Sequence, residues 1–339
     1  MATSNSLAQC LIIAEVGSVH DGSFGNAQKL IDAAADCGVD AVKFQTHIAA
    51  AETLRDAPMP SYFKGEPRYE YFQRTGFSFE KWQALKAHCE AHHVEFISSP
   101  FSVEAVELLE KVGVRRYKVG SGEVSNLPML DVIGQMGKPV LLSSGMSSWA
   151  ELDEAVNTLL RHHRHVTLLQ CTSEYPCPYE EVGLNVMLDM KARYGLPVGL
   201  SDHTLTPYAS LAAATLGAAV IERHFTFSRL MYGSDARNSL QPDELTDLVR
   251  GIRAIETMLA SPVDKDNIVG KMAEMKHIFE KSVVSVIDIP RGTLITPEMV
   301  SVKKPGTGIP ACDLGRVIGQ RAQRDIPADS LLREEDLSA

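Results

Sequence analysis

The chain has 339 residues, 45% of them hydrophobic, and a formal net charge of −10 from 33 basic and 43 acidic side chains. That hydrophobic share fills a large core and excludes a disordered chain. The acidic balance argues against a nucleic-acid-binding stripe but leaves room for a local anion site.

Six cysteines with no CxxC pair read as reduced thiols of a cytoplasmic protein, not as a disulfide framework. The N-terminus lacks a basic segment followed by a long apolar run, so no leader is expected. No apolar stretch reaches the ~20 residues a membrane span needs.

Short Val- and Ile-rich runs alternate with amphipathic segments. In chain order the predicted strands are 11–15 (LIIAE), 40–45 (DAVKFQ), 95–99 (EFISS), 115–120 (RRYKVG), 139–144 (PVLLSS), 166–171 (VTLLQC), 197–201 (PVGLS) and 218–223 (AAVIER). Between them, FGNAQKLIDAAADCG spaces Leu30, Ile31, Ala34 and Ala35 at helical intervals and stops at Gly38. SVEAVELLEKVG opens on a Ser cap and closes on Gly113; SSWAELDEAVNTLLRHH and QPDELTDLVRGIRAIETML repeat the plan. Eight nearly continuous apolar strands alternating with helices predict an α/β fold, a (β/α)₈ barrel over residues 1–261. An open doubly wound sheet is the competing reading, but it would gather its polar ends at one switch point. Residues 262–282 read as a polar linker. Residues 283–339, with Pro–Arg–Gly and Pro–Gly turns, read as a small, mostly β module.

A barrel brings the C-terminal ends of its strands to one mouth. Those ends are Glu15; Lys43 and Gln45; Ser98 and Ser99; Lys118, Ser121 and Glu123; Ser143 and Ser144; Cys171, Thr172 and Ser173; Ser201, Asp202 and His203; and Glu222 and His224. Charge at the end of an apolar run such as AAVIERHF is therefore expected to form the floor of a pocket. His203 and His224, flanked by Asp202 and Glu222, suit a divalent metal completed by water or substrate; the alternative is a structural and a surface histidine. With few nitrogen ligands and oxygen donors nearby, Mn²⁺ or Mg²⁺ fits better than structural zinc. Lys43 and Lys118 need anionic partners if buried, supplied by a phosphate or carboxylate substrate or by protein carboxylates. Glu15 and Glu123 suit general acid–base work or pairing with those lysines. The aromatic segment PSYFKGEPRYEYF (60–72) is either a lid or a loop packed on itself.

The segments IIAEVGSVHDGS, VKFQTH, FISSPF, YKVGSGE, LLSSGM, LQCTSEYPCP, GLSDHT and ERHFT resemble the sialic acid (nonulosonic acid) synthase family in order along the chain. The tail VKKPGTGIP resembles that family's C-terminal antifreeze-like domain. The resemblance implies condensation of phosphoenolpyruvate with an N-acyl hexosamine, such as N-acetylmannosamine, to a nine-carbon 2-keto acid plus phosphate, with Mn²⁺ or Mg²⁺. It implies a phosphoenolpyruvate site on Lys43, Ser99, Lys118, Ser121, Ser143, Ser173 and Ser201, and a metal site on His203 and His224. Glu15, Glu123 and Asp235 match the catalytic positions, and Gln45, Tyr175 and Lys304 the sugar side. A domain-swapped homodimer is implied as well.

Three departures fall on the sugar side. Lys304 stands where the family has Arg, turning a bidentate contact into a point charge. Gly233–Ser234–Asp235–Ala236 replaces Gly–Pro–Asp–His, and Val19 stands where Asn is common. The acceptor is thus less defined than the donor, and legionaminic-type precursors fit beside N-acetylmannosamine. Two rivals share the barrel: a Schiff-base aldolase using Lys118 or Lys43 as amine nucleophile, and a non-catalytic sugar-acid binding protein.

Overall fold

In the computed structural model, which describes residues 9–58 and 66–338, every predicted strand of the first region is present. They are β1 (Leu11–Gly17), β2 (Ala41–Thr46), β3 (Glu95–Pro100), β4 (Tyr117–Val119), β5 (Val140–Ser143), β6 (Val166–Cys171), β7 (Val198–Asp202) and β8 (Val220–His224). They form one eight-stranded sheet in the order β3-β2-β1-β8-β7-β6-β5-β4. Its pairings are parallel, and the end strands β3 and β4 are neighbours. This is the (β/α)₈ barrel, and helices follow the strands.

Strand alternation sets what faces inward. Ile13, Ala41, Ile97, Leu141, Leu169 and Val220 form one closed apolar layer in the barrel. Two residues further along the same strands come Glu15, Lys43, Ser99, Ser143, Cys171 and Glu222, which line a cavity above that layer. The opposite faces, including Ile12, Val42, Phe44 and Phe96, join the helices in the main core. The predicted caps close the helices. Ser23 accepts a bond from the Asn26 backbone N–H, and Ser102 caps a helix that ends on Gly113 at φ 81°. Ser148 and Glu151 form a reciprocal capping box.

The chain divides into two compact units, Met1–Ser261 and Pro262–Ala339. In the second, β9 (Ser282–Ser285) pairs antiparallel with β10 (Val300–Lys303), and single bridges such as Ile289 with Ile326 extend the β character. Val283, Ile289, Ile295, Ile309, Val317 and Leu332 give this unit its own core. The stretch read as a plain polar linker carries two short helices, Ile268–Lys271 and Ala273–Phe279. Residues 60–65 of the aromatic segment lie outside the described residues, and its remainder opens the helix Arg68–Thr75. All six cysteines are free, five of them buried. Among the described residues, no helix is long and apolar enough to cross a membrane.

Candidate active site

The run Glu222–Arg223–His224 is fully buried, and alternation divides its charges. Glu222 and His224 face the cavity. Arg223 points the other way, where its Nη1 lies 2.9 Å from Asp202 Oδ2 and donates to the Thr206 carbonyl at 2.8 Å. Asp202 also accepts from Ser210 Oγ at 2.6 Å. The Asp202 that flanks His203 in sequence is therefore the partner of Arg223 and is absent from the cavity wall.

The cavity, about 380 Å³, is lined by residues from all eight strands or the loops that follow them. Its floor is a buried cluster of four charges. Lys43 Nζ lies 2.8 Å from Glu15 Oε2 and 3.8 Å from Glu222 Oε1. Lys118 Nζ lies 3.4 Å from Glu222 Oε1. The ammonium groups also donate to serines, Lys43 to Ser99 Oγ at 3.2 Å and Lys118 to Ser143 Oγ at 2.8 Å. Burial pulls the Lys43 pKa down, but Glu15 and Glu222 outweigh it and hold it above its ordinary value. Burial pulls Lys118 below its ordinary value, because one nearby carboxylate, Glu222, must offset both desolvation and the Lys43 charge. Burial raises Glu222, yet Lys118 and Lys43 overcome it and hold this carboxyl well below the usual range. Glu222 thus balances two ammonium groups from β2 and β4. The floor is poised for an anion: a phosphate or carboxylate entering here meets two cations and the hydroxyls of Ser99, Ser121, Ser143, Ser173 and Ser201.

Glycine makes part of this wall possible. A Cβ at Gly145 would lie 2.5 Å from Ser173 Oγ and 2.6 Å from Ser121 Oγ. Gly17, at φ +54°, would place a Cβ 2.6 Å from Asp235 Oδ2. Asp235 reaches the cavity beside Glu15 because residue 17 has no side chain. The rest of the wall includes Gln45, Tyr71, Phe72, Phe101, Tyr175, Ser234 and Asp235.

His203 and His224 also face this cavity, with ring centroids 5.3 Å apart. His203 Nδ1 lies 2.8 Å from the Thr172 carbonyl; it must donate there, which leaves Nε2 as a lone-pair nitrogen. Burial, with the His224 neighbour, lowers the His203 pKa to about 4 and keeps the ring neutral. Nδ1 of His224 and Oε2 of Glu222 are buried with no hydrogen-bond partner. Two imidazoles facing one cavity, with Nδ1 of His224 unpartnered, fit a divalent cation completed by water or substrate oxygens. Tyr175 stacks on His203 at 4.1 Å and fixes its ring plane.

Residues 30–264 match the NeuB family, and residues 280–338 match the SAF domain. The chain belongs to the NeuB family. It is 36% identical over 338 residues to the N,N'-diacetyllegionaminic acid synthase of Campylobacter jejuni, covering 97% of this chain and 100% of that protein. It is 34% identical over 333 residues to the N-acetylneuraminate-9-phosphate synthase of Homo sapiens, covering 96% and 92%. Its fold matches the N-acetylneuraminic acid (sialic acid) synthetase of Leptospira borgpetersenii, solved with citrate, at a TM-score of 0.69 and 29% identity over 79% of this chain and 91% of that one.

In this NeuB-family chain, Glu15, Lys43, Gln45, Ser99, Lys118, Ser121, Ser143, Ser173, Tyr175, Ser201, His203, His224 and Asp235 meet in one cavity. Glu123 does not line it. The turn Ser121–Glu123 directs its carboxylate to Asn126, whose Nδ2 donates to it at 2.8 Å. Burial raises the Glu123 pKa against that bond. Lys304 belongs to the second unit, where it is exposed with its ammonium 4.8 Å from the centroid of the Phe279 ring. Sequence reasoning missed Ser18, His47, Phe101 and Met146 of the lining, whereas Arg68, Tyr71 and Phe72 come from the aromatic segment 60–72. For His47 a signal existed: it continues the alternation Lys43, Gln45, His47.

Proposed function

We propose that this protein is a nonulosonic acid synthase. It condenses phosphoenolpyruvate with an N-acyl hexosamine to a nine-carbon 2-keto acid and inorganic phosphate. The observation that carries this reading is the buried Lys43–Glu222–Lys118 floor with its serine hydroxyls, with Glu15 and Asp235 lining the same cavity. The lysines and serines suit a phosphorylated carboxylate, and the remaining polar lining a hydroxylated partner. The relatives named as legionaminic and neuraminic acid synthases support the same reaction class.

The lysines and serines would bind the phosphate and carboxylate of the donor and hold its C3 toward the acceptor aldehyde. C3 attacks the aldehyde carbon, forming the C–C bond and leaving cationic character at C2. The carboxylate of Glu15 stabilises that charge. Water adds at C2, giving up a proton through a cavity carboxylate, Glu15 or Asp235, while the former aldehyde oxygen gains one. The resulting C2 hydroxyl loses its proton as the C–O bond to phosphate breaks, leaving the ketone and inorganic phosphate. His203 and His224 would hold Mn²⁺ or Mg²⁺, which when bound supplies Lewis-acid polarisation of the aldehyde oxygen.

The resemblance of the tail supports a homodimer. For the acceptor, the relative at 36% identity supports a 2,4-diacetamido sugar beside N-acetylmannosamine. Phosphate release from phosphoenolpyruvate, with Mn²⁺ and a panel of N-acyl hexosamines, tests the reading. Release with at least one sugar is expected. No release with any sugar, or borohydride trapping of a substrate on Lys43 or Lys118, overturns it.

A further inference from the structure

His47 sits in the cavity wall as the centre of a bonded chain that the proposed reaction does not use. Its Nδ1 lies 2.7 Å from Glu52 Oε1 and its Nε2 lies 3.1 Å from Gln45 Oε1. Gln45 Nε2 in turn donates to Glu15 Oε1 at 2.9 Å, and Glu15 Oε2 meets Lys43 at 2.8 Å. The orientation of Gln45 is forced from the Glu15 end: an ionised carboxylate accepts only, so the amide must present its NH₂ there. The amide carbonyl therefore faces His47 and needs a donor. At the other ring nitrogen Glu52, when ionised, also needs a donor. Both ring nitrogens then carry protons. The ring is flanked on both faces, by Phe72 at 3.8 Å and 7° and by Phe101 at 4.2 Å and 15°. Such flat stacking fixes the ring plane and favours a cation between the two π faces. His47 and Glu52 side chains are each 5% exposed, so neither charge is balanced by water. Arg68 and Glu123 also act on this corner, and His20 lies close enough to feel His47.

We propose that His47 and Glu52 form a buried imidazolium–carboxylate pair that positions Gln45 and, through it, Glu15. Neither acts as a catalytic residue. The pair locks the amide so that Glu15 keeps one oxygen on Gln45 and the other on Lys43, and cannot rotate away from the reacting carbons. The positioning role rests on the proposed reaction; the charge state of His47 does not.

The test has two arms. The full-length protein is labelled with ¹⁵N-histidine, and His47 is assigned by comparison with His47→Phe, which keeps an aromatic ring in the stack. Without substrate at neutral pH, long-range proton–nitrogen spectra are expected to show both His47 nitrogens protonated, and Glu52→Gln to leave one bare. In the phosphate-release assay, His47→Phe is expected to lower kcat by roughly tenfold to a hundredfold, the range for a misplaced group, with the phosphoenolpyruvate KM within twofold of the parent. Glu52→Gln should follow it. Restoring a donor with His47→Gln should recover part of kcat. A bare nitrogen on His47 in the parent overturns the inference, as does an unchanged kcat in His47→Phe. A parent that releases no phosphate defeats the proposed reaction instead, and the spectra still decide the pair.

Discussion

Glu222→Gln isolates the charge on which the anion floor depends. The substitution keeps shape and keeps an oxygen able to accept from Ser201 Oγ, now at 3.1 Å, so what is lost is charge. In a medium of effective dielectric about 20, a unit pair at the Lys118 distance of 3.4 Å attracts by about 5 kcal/mol, and one at the Lys43 distance of 3.8 Å by about 4 kcal/mol. Burial of all three groups offsets most of that sum. Removing one partner of such a cluster costs about 3–5 kcal/mol, because a buried charge is left unmatched. Lys43 keeps Glu15; among the described residues, Lys118 keeps no carboxylate within ion-pair range. Urea unfolding followed by circular dichroism should show that loss, and phosphoenolpyruvate or inorganic phosphate should restore more stability to the variant than to the parent. Adding Lys118→Met should recover stability, since an apolar replacement of both partners removes the stranded charge. Unfolding of Glu222→Gln within about 0.5 kcal/mol of the parent, the range of an ordinary surface change, would refute the charge cluster. So would a double variant whose loss is the plain sum of the singles.

Four further outcomes are expected. His203→Ala should abolish stimulation of phosphate release by Mn²⁺; unchanged stimulation would remove His203 from the metal site. Lys118→Ala should raise the donor KM or lower kcat by at least ~tenfold, equivalent to ~1.4 kcal/mol of charge-assisted binding, and unaltered donor kinetics would mean that the floor does not hold the donor. Gly17→Ala puts a methyl group 2.6 Å from Asp235 Oδ2 at φ +54°; with ~1–2 kcal/mol of left-handed strain, it should impair acceptor kinetics and spare the donor KM. Acceptor kinetics equal to the parent's would separate Asp235 from the acceptor. Buried His20, whose pKa burial and then the neighbouring positive charge push down to about 4 from 6.5, is neutral in the fold but takes a proton when unfolded. Its contribution, about 3 kcal/mol, is complete above pH 6.5 and is lost as pH falls toward 4. His20→Phe should flatten stability across that window, and an unchanged slope would show that another group sets it.

The sequence carries the barrel because each strand is a local pattern. A Val- and Ile-rich run such as VTLLQC, bounded by a capped helix, needs no distant information to be read. Strand ends were equally legible as the place where ionisable groups gather. Parity was harder. Asp202 and His203 are adjacent in sequence, and the alternation that sends them to opposite sides depends on register, which is set by pairing Ser201 with Glu222 across β7 and β8. That is why Asp202 read as a flank of the metal pair although it belongs to Arg223. Glu123 was hard to place for a related reason: it follows β4 in a turn, where no period of two applies and the local backbone decides whether the carboxylate meets the cavity or Asn126.

Glu222 shows what no local pattern could supply. In sequence it is a neighbour of His224; in the fold it lies between lysines that are 75 positions apart in the numbering, Lys43 and Lys118. That contact exists because β8 pairs with β1 at one edge and β7 at the other while β2 and β4 reach the same interior. Closure of the ring therefore does more than enclose an apolar core. It gathers two ammonium groups and two carboxylates in one buried cluster, with Glu222 between both lysines, so that an entering phosphate meets cations that water does not screen. A chain with the same strand ends in an open sheet would expose those lysines to water, and the anion would gain little from meeting them.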